Sequence, residues 1–129
     1  MRTPEVAPVV KQISQAQIGR YADATGDHNP IHVDEAFARA TPFGGTIAHG
    51  MLVLATISEM MAAAFGEAWL TGGRLRVRFR APARPGDTLT ASARAQASRD
   101  GTTLTYAVEC RNQSDELLIS GTAEAPAGG

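Results

Sequence analysis

The sequence is short of several things, and each shortage excludes something. Its 129 residues include one cysteine, Cys110, so an intramolecular disulfide framework is ruled out; such usage fits a reducing compartment. Neither sign of charge dominates, because 12 basic and 13 acidic residues leave a formal net charge of −1. Binding of nucleic acid or an anionic membrane by bulk electrostatics is disfavoured, and neither is expected as a partner. No apolar run is long enough to span a bilayer. The most apolar stretch, GMLVLATISEMMAAAFG, carries Ser58 and Glu59 near its middle and falls short of the roughly 20 apolar residues required. MRTPEVAPVVKQ at the start lacks the apolar core of a signal peptide, so a cytoplasmic location is expected. Internal repeats and low-complexity linkers are missing too. The length suits a single domain over 1–129, with 1–10 and 124–129 expected as loose termini.

What is present falls into three zones. In the first, Ser14 is a suitable N-cap for a short helix from Ser14 to Ala24, and a brief second helix over Ala36 to Ala40 stops before Pro42. In the second, Gly50 to Gly66 has helical length and is apolar on nearly every face, which predicts a helix wrapped on all sides. The third zone supplies the wrapper. RLRVRFR, Arg74 to Arg80, alternates Leu75, Val77 and Phe79 against four arginines. Pro85-Gly86-Asp87 reverses the chain into a strand over Thr88 to Ser98, Asp100-Gly101 marks a hairpin, and strands follow over Thr103 to Arg111 and Leu117 to Ala123. A buried helix followed by at least four antiparallel strands predicts an α+β architecture, a sheet curled round one helix. Cys110 is in phase with Leu104, Tyr106 and Val108 and is expected to be buried; Met60, Met61, Phe65 and Trp69 line the core or a pocket.

The chemistry concentrates in GDHNPIHVD, Gly26 to Asp34. Asp27 and His32 are five residues apart, with Pro30 between them lacking a backbone N–H and pushing Asn29 toward an extended conformation. The segment reads as a stiff, bent loop that aims a carboxylate and an imidazole at one point, with Asn29 tying the loop to its own backbone or orienting a partner. His28 and His32 would share a face only within a helix. Pro30 is expected to break one, so no metal site is expected.

Three blocks, YADATGDHNPIH from Tyr21, FGGTIAHGML from Phe43 and RFRAPARPGD from Arg78, together resemble the MaoC-like dehydratases, including the (R)-specific enoyl-CoA hydratases. The likeness runs from about Ile13 to Ala123 with the blocks in the family's order. It implies the hot-dog fold and the reversible addition of water to trans-2-enoyl thioesters, giving (R)-3-hydroxyacyl thioesters. It also implies an Asp27/His32 acid–base pair, a thioester carbonyl near Gly50, and a small polar pocket residue at Ser58. The substrate would be an acyl-CoA or acyl-carrier-protein thioester, needing no further cofactor. The assembly would be a homodimer or a dimer of dimers.

Adding water across such a double bond requires a base for the water, a proton for the α-carbon and a partner for the charge on the thioester oxygen. Asp27 and His32 can supply the first two. Gly50, at a helix start where amides are free and the dipole is positive, can supply the third, with Asn29 and Ser58 in support. Phe43, His49 and Arg78 are assigned to the substrate, His49 chiefly by shaping the loop before Gly50. The arginines of Arg74 to Arg80 are otherwise a solvated face. Two alternatives remain: a hot-dog thioesterase using Glu59, the acid inside the long helix, or a non-catalytic partner subunit of a heteromeric dehydratase.

Overall fold

The computed structural model describes residues 3–98 and 100–127. In chain order the elements are β1 (Val9–Gln12), α1 (Gln15–Thr25), α2 (Pro30–Val33), α3 (Glu35–Arg39), α4 (Gly50–Phe65), α5 (Glu67–Gly72), β2 (Arg74–Phe79), β3 (Thr88–Gln96), β4 (Thr103–Arg111) and β5 (Leu117–Pro126). The strands form one antiparallel sheet in the order β1-β3-β4-β5-β2, with α4 packed across β1, β3 and β4. No helix among the described residues is long and apolar enough to cross a membrane.

The alternation in the strands does what its period dictates. Leu104, Tyr106, Val108 and Cys110 of β4 point inward and are buried, as are Leu89 and Ala91 of β3. Burial pushes the Cys110 thiol up to about 11. Pairing of β4 with β5 slips by one residue between Cys110 and Arg111, so that Leu118 and Ile119, neighbours in sequence, are both buried. β5 approaches β2 so closely that a Cβ on Gly121 would lie 2.1 Å from the Arg76 carbonyl oxygen.

Three expectations need correction, and one element was not foreseen. Parts of the segments expected to be loose are held: Val9 and Val10 pair with Ala91 and Thr90, Glu124 and Ala125 pair with β2 and β4, and the Tyr106 hydroxyl donates to the Pro4 carbonyl at 2.6 Å, while residues 1–2 and 128–129 lie outside the described residues. The long helix is not wrapped all round. Val53, Thr56, Ile57, Met60 and Met61 face the sheet, whereas Met51, Ala55 and Glu59 stand exposed. Pro30 starts a helix instead of breaking one, because its fixed φ suits the first helical position and its missing N–H would be unpaired there anyway. Finally, α5 was hidden among glycines; it buries Trp69, whose indole N–H donates to Ser58 Oγ at 3.0 Å.

Candidate active site

Asp27 leaves α1 just after Gly26, which closes that helix in the left-handed conformation at φ 78°. Its two carboxylate oxygens are used differently. Oδ1 accepts the Asn29 amide at 3.3 Å, an Asx turn, while Oδ2 stands 4.0 Å from His32 Nε2. Asn29 in turn caps α2, its Oδ1 accepting the Ile31 amide at 3.2 Å. Asn29 therefore ties the loop to its own backbone, one of the two uses expected of it.

His32 lies on α2, largely covered, with Nδ1 at 2.9 Å from the Ile47 carbonyl. A carbonyl only accepts, so Nδ1 carries the proton and Nε2, facing Asp27, carries a lone pair. At 4.0 Å the two groups are too far apart for a direct hydrogen bond. A water placed about 2.8 Å from each would see them ~90° apart, close to the angle its own orbitals favour.

Three residues that sequence reasoning did not connect hold this arrangement. Gln15 Nε2 donates to the His32 carbonyl at 2.9 Å, and Thr46 Oγ1 donates to Gln15 Oε1 at 2.7 Å. The Thr46 amide donates to Glu35 Oε2 at 3.2 Å. Gln15 and Glu35 are unremarked polar positions on helix surfaces, and only Thr46 lies inside a recognisable block. His49 is buried beside the pair, its ring stacked on His32 with centroids 3.8 Å apart. Asp27, His32 and His49 bring ligand-type atoms within 4.8 Å of one another. Of the four ring nitrogens, His32 Nδ1 and His49 Nε2 are already engaged with backbone carbonyls.

Gly50 opens α4, and its amide and that of Met51 donate to no acceptor among the described residues. The Phe79 ring covers the glycine so closely that a Cβ there would meet Phe79 Cε1 at 3.1 Å. Phe79 was expected in the core face of β2, yet it is 54% exposed and lies at the helix tip.

The remaining candidates scatter. Phe43 lies partly exposed in the loop before α4. Ser58 is occupied by Trp69 and is not tied to Asp27 or His32. Arg78 alternates with Phe79, so it turns to the opposite face of the sheet, where it lines a cavity of about 350 Å³ with Arg76, Arg80 and Ser120. His28 pairs with Asp23 at 2.9 Å in the open, and that bond raises it above the usual histidine range. Glu59, which a thioesterase reading needs, is paired with Lys11 of β1.

Known proteins share both sequence and shape with this chain. The 3-hydroxybutyryl-CoA dehydratase of Methylorubrum extorquens is 40% identical over 77 residues, covering 60% of this chain and 49% of that protein. The (R)-specific enoyl-CoA hydratase of Rhodospirillum rubrum is 37% identical over 86 residues, covering 67% and 60%. The chain thus spans about half the length of the first of these curated relatives. The unliganded R-hydratase PhaJ1 of Pseudomonas aeruginosa superposes with a TM-score of 0.83 at 28% identity, over 97% of this chain and 81% of that one. The fold is accordingly the hot-dog fold that the family resemblance implies, and it agrees with the sheet curled round one helix expected from the strands. With residues 3–116 matching the MaoC like domain, the chain belongs to that family.

Proposed function

We propose that this chain reversibly hydrates trans-2-enoyl thioesters to (R)-3-hydroxyacyl thioesters, with Asp27 and His32 acting on one water. The observation that carries the reading is the 4.0 Å gap between Asp27 Oδ2 and a His32 Nε2 whose ring is fixed through Nδ1. Water in that gap gives one proton to Nε2 as its oxygen bonds to the β-carbon, while Asp27 accepts its other hydrogen and orients it. Electron density moves to the thioester oxygen, where the free Gly50 amide at the positive end of α4 donates to it. The proton on Nε2 is then returned to the α-carbon, so the elements of one water are added and the enzyme is restored.

The substrate is an acyl-CoA or acyl-carrier-protein thioester, and the chemistry calls for no cofactor beyond it. The active form is a homodimer or larger. Met51 and Phe79 expose apolar surface beside Gly50, and a second copy covering it would complete the acyl pocket. The ion pair of Glu59 with Lys11 speaks against a thioesterase.

Crotonyl-CoA hydration, followed by loss of enoyl-thioester absorbance, tests the reading. Asp27→Asn and His32→Gln should each lower kcat by about 10²–10⁴-fold while leaving the unfolding midpoint in place. Full activity in both variants would reject the mechanism. Release of free coenzyme A, read with a thiol reagent, would favour hydrolysis instead.

A further inference from the structure

We propose that His49 is the positioning residue of the acid–base pair, holding the Asp27 loop by its main chain and the His32 ring by its face. Its kinetic consequence rests on the hydratase reading; its structural consequence does not. Three contacts meet in this one side chain. Nε2 lies 3.0 Å from the Asp27 carbonyl oxygen, and since that oxygen only accepts, Nε2 carries the ring's proton. The ring stacks on His32 with centroids 3.8 Å apart at 26° and packs against Tyr21 at 4.8 Å, tilted by 53°. Its own carbonyl accepts the amides of Leu52 and Val53, so it also begins α4, one residue before Gly50.

The other ring nitrogen, Nδ1, is buried and left without a hydrogen-bond partner among the described residues. A desolvated lone pair without a donor is uncommon inside proteins and calls for a reason. An apolar ring would fill the same space beside Tyr21 and His32 without burying an unpaired nitrogen. What it would lack is the N–H aimed at Asp27. The tether is therefore the contact that histidine adds here, across 22 residues of chain. Without it, the Asp27 carboxylate is held to the site by its own local turn alone, and the 4.0 Å separation from Nε2 loses its outside support.

The test compares wild type with His49→Phe, which keeps a ring but no donor, and His49→Gln, whose amide nitrogen can reach the Asp27 carbonyl. Backbone hydrogen exchange over residues 26–32 and steady-state kinetics on crotonyl-CoA are both measured. In H49F, exchange across the Asp27 turn should quicken and kcat should fall about tenfold or more, with KM nearly unchanged, as misplacement of a reacting group implies. H49Q should recover protection and most of kcat. Wild-type kcat and protection in H49F would overturn the proposal. So would equal losses in H49F and H49Q matched by equal drops in unfolding midpoint, the mark of a packing role. If H49F does not fold, His49→Met against His49→Gln makes the same comparison, since the two are similar in length and differ in the donor. Should wild type hydrate no enoyl thioester, the functional reading fails, while the exchange data still decide the tether.

Discussion

Two regions of this molecule are held together by different forces. The sheet and the inner face of α4 are joined by backbone ladders and by fully buried side chains such as Tyr106, Met60, Leu89 and Leu118. The segment that carries Asp27 and His32 adds little to the core: α2 has no fully buried residue, His32 being partly covered, and α3 has only Ala38. That segment is fixed by polar tethers instead, from Gln15, Thr46, Glu35 and His49 and from the Asx turn at Asp27. Directional bonds set distance and angle, which proton transfer needs. Apolar burial sets stability, which it does not need locally. Stability and activity should therefore respond to different substitutions.

The largest separation is expected between Leu118 and His32. Leu118→Ala removes a fully buried side chain at the bulge and should cost about 2–5 kcal/mol, read as a lower urea midpoint, with kcat of the folded fraction little changed. His32→Gln should do the reverse. If H32Q lowers the midpoint as much as L118A, the site is part of the core and the contrast fails.

Thr46 stands between the two regions, being buried yet polar. Thr46→Val keeps its volume but strips the hydroxyl from Gln15 Oε1, which also frees the amide that holds the His32 carbonyl. A stability loss of about 1 kcal/mol is expected from the bond. The loss in kcat should be the greater effect, about tenfold, because α2 loses a tether. Equal activity of T46V and wild type would show that Gln15 holds His32 unaided.

Gly50 sharpens the comparison at the helix tip. Gly50→Ala places a methyl 3.1 Å from Phe79 Cε1, and the half-exposed ring can swing away, so stability should change by no more than about 1 kcal/mol. Activity should fall several-fold through crowding at the free amide. Adding Phe79→Leu should return part of it if the crowding is the cause. No recovery in the double variant would place the fault at the amide itself.

The same division explains how much could be read from sequence. Strands β2, β3 and β4 and helix α4 were legible because a period of 2 or 3.6 reports burial directly. Asp27 and His32 were legible because their spacing is local. α2 was not, since a proline at the first helical position looks identical to a proline that stops a helix. β1 was too short to show a period, and α5 sits between Gly66 and Gly72-Gly73. The open face of α4 was misread as buried because composition alone does not tell a sheet-facing Met60 from an exposed Met51. The tethers were the least legible, for Gln15 to Thr46 and His49 to Asp27 join positions 31 and 22 residues apart without any pattern between them.

The smallest effect should come from a pair that lies in the site region and yet touches neither reacting group. His28 is hydrogen-bonded to Asp23 in the open, and that bond, more than the charges of Asp23 and Asp27, raises its pKa. A histidine raised on folding stabilises the fold fully below its unfolded value, and the contribution is lost as pH rises through the folded value. Asp23→Asn removes the cause, so its urea midpoint should fall below wild type at about pH 5 and meet it at about pH 9. kcat should not move at either pH, because the loop is held by the Asn29 amide and by His49, not by His28. A change in kcat in D23N, with the midpoint unaltered, would mean that the exposed side of the loop also positions Asp27, and that the tethers from the Asn29 amide and His49 are not sufficient.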